Sequence, residues 1–186
     1  MIETELKYLI DIDTYNKIIQ LPTKKILYKT IFYYDSIEKE LLNNRSCCRV
    51  ILKGKKEHLL NLKLHQKIDP ETRSIISSEQ DTIISEVPNC FDIRGIFSIP
   101  KHIFDTKVFF QGFMVVERRV LKINELDTTI EVDKAMFANR TQFLEIEIEN
   151  TKISKIAKTA KWLENQYGIK SISGLSKYER FCNINF

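Results

Sequence analysis

Polar and apolar residues alternate along much of the chain. In Ile2-Glu3-Thr4-Glu5-Leu6-Lys7-Tyr8, the residues Glu3, Glu5 and Lys7 interleave with Ile2, Thr4, Leu6 and Tyr8. Successive side chains of a β-strand point to opposite faces, so this stretch predicts a strand with one ionised face and one face for packing. The same division recurs downstream. Asn61, Lys63 and His65 oppose Leu60, Leu62 and Leu64, and Glu145, Glu147 and Glu149 oppose Leu144, Ile146 and Ile148. Three glutamates on one face repel in water by a few tenths to about 1 kcal/mol per neighbouring pair. If that face is enclosed, cations must lie against it.

Further strands are predicted over 25–34, 46–53, 58–65, 73–85, 107–123, 127–135 and 141–150, with Gly54-Lys55-Lys56-Glu57 as a hairpin turn. In the strand over 107–123, Val115, Glu117, Arg119 and Leu121 share one face, and Val116, Arg118, Val120 and Lys122 share the other. A short helix follows the first strand, with Asp13 as its N-cap and Pro22 beyond its end. Residues 35–44 read as a polar turn or short helix, and 66–72, with Asp69-Pro70, as a loop. Residues 86–106 contain Pro88, Gly95 and Pro100 among apolar residues and read as two short helices closing one mouth of the fold. The clearest helix runs over 152–167. Ile153, Ile156, Ala157, Ala160, Leu163 and Tyr167 form its stripe, Gly168 its C-cap, and Lys152, Lys155, Lys158 and Lys161 a solvated face. About eight strands joined as antiparallel hairpins predict a mainly β, α+β chain. A closed antiparallel eight-stranded barrel with flanking helices removes the exposed sheet edges.

The chain has 186 residues, 43% hydrophobic and 29% charged, which suits one domain over 1–186 with a substantial core. No apolar run reaches the roughly 18 residues of a membrane span. The strand-like, acidic N-terminus does not read as a secretory signal. Cys47, Cys48, Cys90 and Cys182 lack zinc-site spacing and read as reduced thiols of a cytoplasmic protein, and the three histidines are scattered singly. A net charge of +4 fits an acidic ligand without suggesting nucleic acid.

If the charged faces all point inward, the barrel gathers the acids Glu3, Glu5, Glu79, Asp133, Glu145 and Glu147 with the bases Lys7, Arg49, Lys63, Arg119, Lys177 and Arg180. Isolated charges in a dry interior cost several kcal/mol each. A wet cavity that binds a polyanion together with metal ions removes that objection. Arginine grips phosphate oxygens bidentately, lysine acts as a point charge, and carboxylates on neighbouring strands suit Mg2+ or Mn2+. No Cys or His cluster favours a softer metal.

Glu-Thr-Glu-Leu-Lys at 3–7 also fits an E-x-E-x-K opening. Tyr33-Tyr34-Asp35, Cys48-Arg49-Val50, Leu60-Asn61-Leu62-Lys63, Glu117-Arg118-Arg119, Glu131-Val132-Asp133, Phe143-Leu144-Glu145-Ile146-Glu147 and Ser176-Lys177-Tyr178-Glu179-Arg180 follow it in order. This ordered set resembles the CYTH superfamily, the triphosphate tunnel metalloenzymes, across about the whole chain. The resemblance implies a tunnel barrel binding a triphosphate and a divalent metal. Glu3, Glu5, Glu145 and Glu147, with Asp133, would be metal ligands. Lys7, Arg49, Lys63, Arg119, Lys177 and Arg180 would bind phosphate, and Glu3, Glu5, Lys7 and Glu147 would be the catalytic set. Three positions depart from the family's pattern. Ile51 stands where a second arginine is frequent, Glu117 where a basic residue is common, and Gln142 where glycine is usual.

The activity so implied is metal-assisted hydrolysis of a small triphosphate: tripolyphosphate, thiamine triphosphate or a nucleoside triphosphate. The alternatives are class IV adenylyl cyclase and a non-catalytic polyphosphate or nucleotide sensor, kept open by the missing cations. No basic stripe with interleaved aromatics guides RNA. The expected partners are a small triphosphate, neither membrane nor nucleic acid, with a homodimer left open.

Overall fold

The computed structural model describes residues 2–52, 57–71, 73–150, 152–170 and 175–185. Nine strands make one antiparallel sheet: β1 (Ile2–Ile10), β2 (Thr23–Asp35), β3 (Cys47–Leu52), β4 (His58–Ile68), β5 (Ile75–Ile84), β6 (Cys90–Asp92), β7 (Lys107–Ile123), β8 (Thr128–Phe137) and β9 (Gln142–Glu149). The strand order is β2-β3-β4-β5-β1-β9-β8-β7-β6, and β2 also pairs with β7 along its whole length, from Thr23 opposite Leu121 to Asp35 opposite Phe109. That last ladder closes eight strands into a barrel. The short β6 adds to the start of β7, where β8 does not reach. The expected mainly β tunnel barrel is therefore present.

Four helices accompany it: α1 (Ile12–Ile18), α2 (Glu40–Asn43), α3 (Ile153–Tyr167) and α4 (Lys177–Asn185). The outer face of β1, β7, β8 and β9 is apolar, and α1 and α3 cover it. Leu6, Tyr8, Leu121, Ile123, Ile130, Val132, Ile146 and Ile148 pack there with Tyr15, Ile18, Ile156 and Leu163. Beyond α3, Gly168 adopts φ 68° and closes the helix as expected, its N–H donating to Glu164 O at 2.8 Å. A second outer core forms where Cys48, Val50, Leu60 and Leu62 meet Leu41, Ile93, Phe97 and Ile103.

Several local expectations change. The N-cap of α1 is Asp11, not Asp13; Asp11 is extended, and its Oδ1 accepts from Thr14 N at 2.7 Å, while Asp13 lies inside the first turn. Strand β4 runs through a bulge between His65 and Lys67 as far as Ile68, into the expected loop. The segment 86–106 forms β6 and a single 3-10 turn, Ile93–Gly95, rather than two helices. Its apolar residues still cover the sheet, but ladder bonds to β7 hold it there. The expected turn at 54–57 lies almost wholly outside the described residues, although the β3–β4 hairpin around it is paired from Cys47–Lys63 to Leu52–His58.

The hydrophobic pattern predicts no element in the tail, yet α4 forms there and is a plug. Its Tyr178 and Phe181 rings lie 5.0 and 5.1 Å from Tyr33, and Phe181 is 5.9 Å from Phe137, all inside one end of the barrel. Tyr178 Oη donates to Asp35 Oδ2 at 2.7 Å; the same carboxylate accepts from the N–H groups of Ser36, Leu41 and Leu42. Strand β7 makes room for the plug at a bulge around Gln111. Gly112 there has φ 145°, a conformation that favours glycine, and a Cβ on it would lie 2.6 Å from Phe181 Cζ.

Among the described residues no helix is long and apolar enough to cross a membrane. All four cysteines are free thiols, and Cys47, Cys48 and Cys182 are buried. The close approach of α4 to Gly112 makes a stability prediction. Gly112→Ala should lower the urea midpoint by the equivalent of roughly 1–3 kcal/mol with little change in the denaturant slope. An unchanged midpoint would contradict the seating of Phe181 on the bulge.

Candidate functional site

Strand register decides which side chains meet inside. Lys7 stands opposite Glu147, Glu131 opposite Glu147, Asp133 opposite Glu145, Arg118 opposite Asp133, Lys63 opposite Glu79, and Arg49 opposite Asn61. Because the pleat alternates, these residues share the inner face, while their sequence neighbours enter the outer cores. The tunnel they line includes Glu3, Glu5, Lys29, Ile31, Arg49, Ile51, Lys63, Arg118, Asp133, Glu147, Glu149 and Lys177. Its free volume is only about 60 Å3, since the side chains fill most of the bore with ion pairs.

Glu147 is the hub. Its Oε1 lies 2.8 Å from Lys7 Nζ and 2.7 Å from Lys177 Nζ, and its Oε2 contacts Arg118 Nη2. Arg118 also holds Asp133 bidentately, at 2.7 Å through Nε and 2.6 Å through Nη2, and reaches Glu131. On the other wall, Lys63 contacts Glu3, Glu5 at 2.9 Å and Glu79 at 3.4 Å, while Lys7 lies 3.1 Å from the second oxygen of Glu5. Arg49 lies 3.5 Å from Glu79 and donates to Asn61 Oδ1 at 2.8 Å; Asn61 in turn donates to Asp81 at 2.7 Å. From α4, Lys177 sits among Asp133, Glu145 and Glu147, and Arg180 pairs with Glu145 and stacks 4.5 Å over the Phe143 ring.

The structure thus brings together Glu3, Glu5, Lys7, Arg49, Lys63, Asp133, Glu145, Glu147, Lys177 and Arg180, along with Glu79. It does not bring in Arg119. That side chain lies outside the barrel, 27% exposed, bonded to Glu117 at 2.7 Å. Arg118, 13% exposed, takes the inner place. Alternation puts these two arginines on opposite faces but does not say which face is inner, because each carries apolar neighbours: Leu121 is in the outer core, and Val116 is inside the barrel. Glu117 faces outward with Arg119, so a base there would not reach the tunnel. Lys29, Asn61, Asp81 and Glu131 are not among the predicted site residues. Lys29 alternates with Ile31 and Tyr33 on β2, a face that reads as apolar, and the other three acquire their partners only through cross-strand register.

The charges set the proton affinities. Burial pushes the Glu5 carboxyl up, but Lys7 and Lys63 together hold it down at about 2. Burial acts likewise on Glu147 and is outweighed by Lys177, Lys7 and Arg118, which hold it well below the usual carboxylate range. Asp133 is lowered by Lys177 and Arg118 against its burial. Glu149 behaves oppositely: burial and the neighbouring Glu3, with which it shares a hydrogen bond, push it up to about 7. Lys29 is lowered to about 8 by burial and then by Arg118.

Asp133, Glu145 and Glu147 offer oxygens that all lie within 4.8 Å of one another, on fully buried side chains. An all-oxygen anionic set of this size suits a hard divalent cation such as Mg2+ or Mn2+. Lys177 supplies a positive charge to the same three carboxylates.

The lowered carboxylates predict acid sensitivity. Their pKa values are lower folded than unfolded, so the stability they contribute is complete above about pH 4.5 and is lost as pH falls towards 2. Chemical denaturation followed from pH 6 to 2.5 should show unfolding free energy falling below about pH 4.5 with a slope of more than one proton. A flat profile would mean that these carboxylates are not paired in solution.

The CYTH domain profile matches residues 1–182. No curated protein matches the chain in sequence. Among solved structures, HpAC1 from Hippeastrum, described as an adenylyl cyclase candidate with a dominant triphosphatase activity, superposes with a TM-score of 0.71 at 15% identity, covering 99% of this chain and 97% of its own. The bh2851 protein of Bacillus halodurans, named as an adenylate cyclase candidate, gives 0.69 at 15% identity over 95% of each chain. The PH1819 protein of Pyrococcus horikoshii gives 0.62 at 17% identity, over 98% of this chain and 99% of its own. At these identities the likeness establishes the shared tunnel fold, and the profile match adds the family: the chain belongs to the CYTH domain family.

Proposed function

We propose that the protein is a metal-dependent hydrolase of a small triphosphate, transferring a phosphoryl group to water inside the barrel. The observation that carries this is the convergence of Lys7, Arg49, Lys63, Arg118, Lys177 and Arg180 with Glu3, Glu5, Asp133, Glu145 and Glu147 in one enclosed bore. Such a mixture is suited to an anion bearing several charges and its counter-cation, and to little else.

In this reading Glu3, Glu5, Asp133, Glu145 and Glu147 would hold Mg2+ or Mn2+, which would supply Lewis-acid polarisation of the phosphoryl group and a more nucleophilic water. Lys7, Arg49, Lys63, Lys177 and Arg180 bind phosphate oxygens, with Arg118 in the place expected for Arg119. Their charges stabilise the leaving diphosphate, and Glu5 and Glu147, held ionised by the cations around them, orient the attacking water. Arginine forks fixed by Asp133 and by Asn61 are already aimed into the bore, which lessens the ordering cost of binding. Free thiols fit a cytoplasmic setting. The description of HpAC1 as having a dominant triphosphatase activity supports hydrolysis over cyclisation. The naming of the Bacillus halodurans protein as an adenylate cyclase candidate favours the second reading, formation of cyclic AMP and diphosphate from ATP.

Product analysis separates them. With Mg2+ or Mn2+, tripolyphosphate, thiamine triphosphate and ATP should each be tested, and orthophosphate should be the product from at least one. Cyclic AMP with diphosphate would establish the cyclase instead, and tight binding without turnover a sensor. Glu147→Gln and Lys7→Ala, checked as folded by circular dichroism, should each abolish turnover. Arg118→Ala should lower kcat/KM by about 100-fold or more, whereas Arg119→Ala should leave it within about threefold. Near-normal rates in both Glu147→Gln and Lys7→Ala would remove the site assignment.

A further inference from the structure

Lys29 differs from the other tunnel cations. Lys7, Arg49, Lys63, Arg118, Lys177 and Arg180 each lie against a carboxylate. Lys29, half-buried and lining the same bore, has no carboxylate within ion-pair distance among the described residues. Arg118 and Arg49 repel it, and Asp133 and Glu147, both already held by other cations, attract it from beyond contact. Around it the wall is apolar, formed by Ile31, Ile51 and Val116. Arg118 and Arg49 have carboxylates of their own, so Lys29 is the cation of the three left without a contact partner, and an anion placed between them would supply one.

Register fixes where this spot lies. Val116 stands opposite Lys29, so Arg118 is its diagonal neighbour on β7. Ile31 stands opposite Ile51, so Lys29 is diagonal to Ile51 across the β2–β3 ladder, about 7–8 Å away. Tyr33, four residues further along β2, touches the plug. Lys29 is therefore ~13 Å along the strand from Tyr33, on the side away from the stacked rings of α4.

We propose that Lys29 is a substrate-binding residue that takes the outermost phosphate of the polyanion, together with Arg118 and Arg49, and supplies from β2 the cation that β3 lacks at Ile51. The assignment rests on the triphosphate reading and extends it. The inner cations are neutralised within the protein, so an entering anion must compete with carboxylates for them. At Lys29 it meets a charge that no carboxylate touches among the described residues. This makes Lys29 the first strong contact for a chain entering by the open mouth, and a determinant of how long a polyphosphate the tunnel grips.

Calorimetric titration of inorganic tripolyphosphate into the chelator-treated protein tests this without turnover. Lys29→Gln should weaken binding by about 10- to 100-fold, as expected for loss of a charged hydrogen bond to phosphate. Lys29→Arg should keep it within about threefold, and the double variant Lys29→Gln, Ile51→Arg should recover most of the loss. Without ligand, Lys29→Gln should melt at or above the wild-type temperature, since it removes a repelled charge; a structural lysine would do the reverse. If the wild type binds and Lys29→Gln binds equally well, the assignment is wrong while the triphosphate reading stands. If the wild type does not bind tripolyphosphate, both fall.

Discussion

Neutralisation of buried charge is the constraint on which this structure depends. Eight strands turn ionised side chains into a bore whose free volume is about 60 Å3, and no one of those charges is tolerable there alone. Glu147 is stable as an anion because Lys7, Arg118 and Lys177 surround it, and Lys63 as a cation because Glu3, Glu5 and Glu79 do. Removing one member of such a set typically costs 3–5 kcal/mol, because its partners are left uncompensated. Strand order and register are therefore fixed twice: by the outer apolar cores, and by the need to place each charge opposite its complement. A one-residue slip would turn every glutamate of β9 into the apolar layer under α3.

The barrel and most of its ionised lining were legible in the sequence because strand period and charge coincide. Glu3, Glu5 and Lys7 alternate with apolar residues, as do Glu145 and Glu147, and in both strands the apolar partners are uniform enough to mark the outer face. Strand β7 lacks that asymmetry. Val116 and Leu121 are both fully or nearly buried, on opposite faces, so Arg118 and Arg119 could not be ranked without the register that sets Arg118 against Asp133. Lys29 is hidden for a related reason: on β2 it alternates with Ile31 and Tyr33, which read as an apolar face. The plug was not legible at all. Its short helix is defined less by periodicity than by where its aromatic rings fit, against Tyr33, Phe137 and Gly112.

The two ends of the bore have different characters. At the plugged end, aromatic packing and the four donors gathered by Asp35 fix α2 and α4 to the barrel. The rest of the lining includes Glu149 and Lys29, which form no ion pair among the described residues. Rigidity at one end and unmet charge at the other give the tunnel a direction.

The manner in which α4 is held has a thermodynamic corollary. Lys177 and Arg180 sit one turn apart on the same helix as Tyr178 and Phe181, so their ammonium and guanidinium groups reach the bore only while those rings are docked. Any solute gripped by the two cations must therefore also favour the docked over the detached helix, and by reciprocity a firmly docked helix must raise the affinity for that solute. Occupancy of the bore and order at its base are one equilibrium, written at two ends of the same barrel.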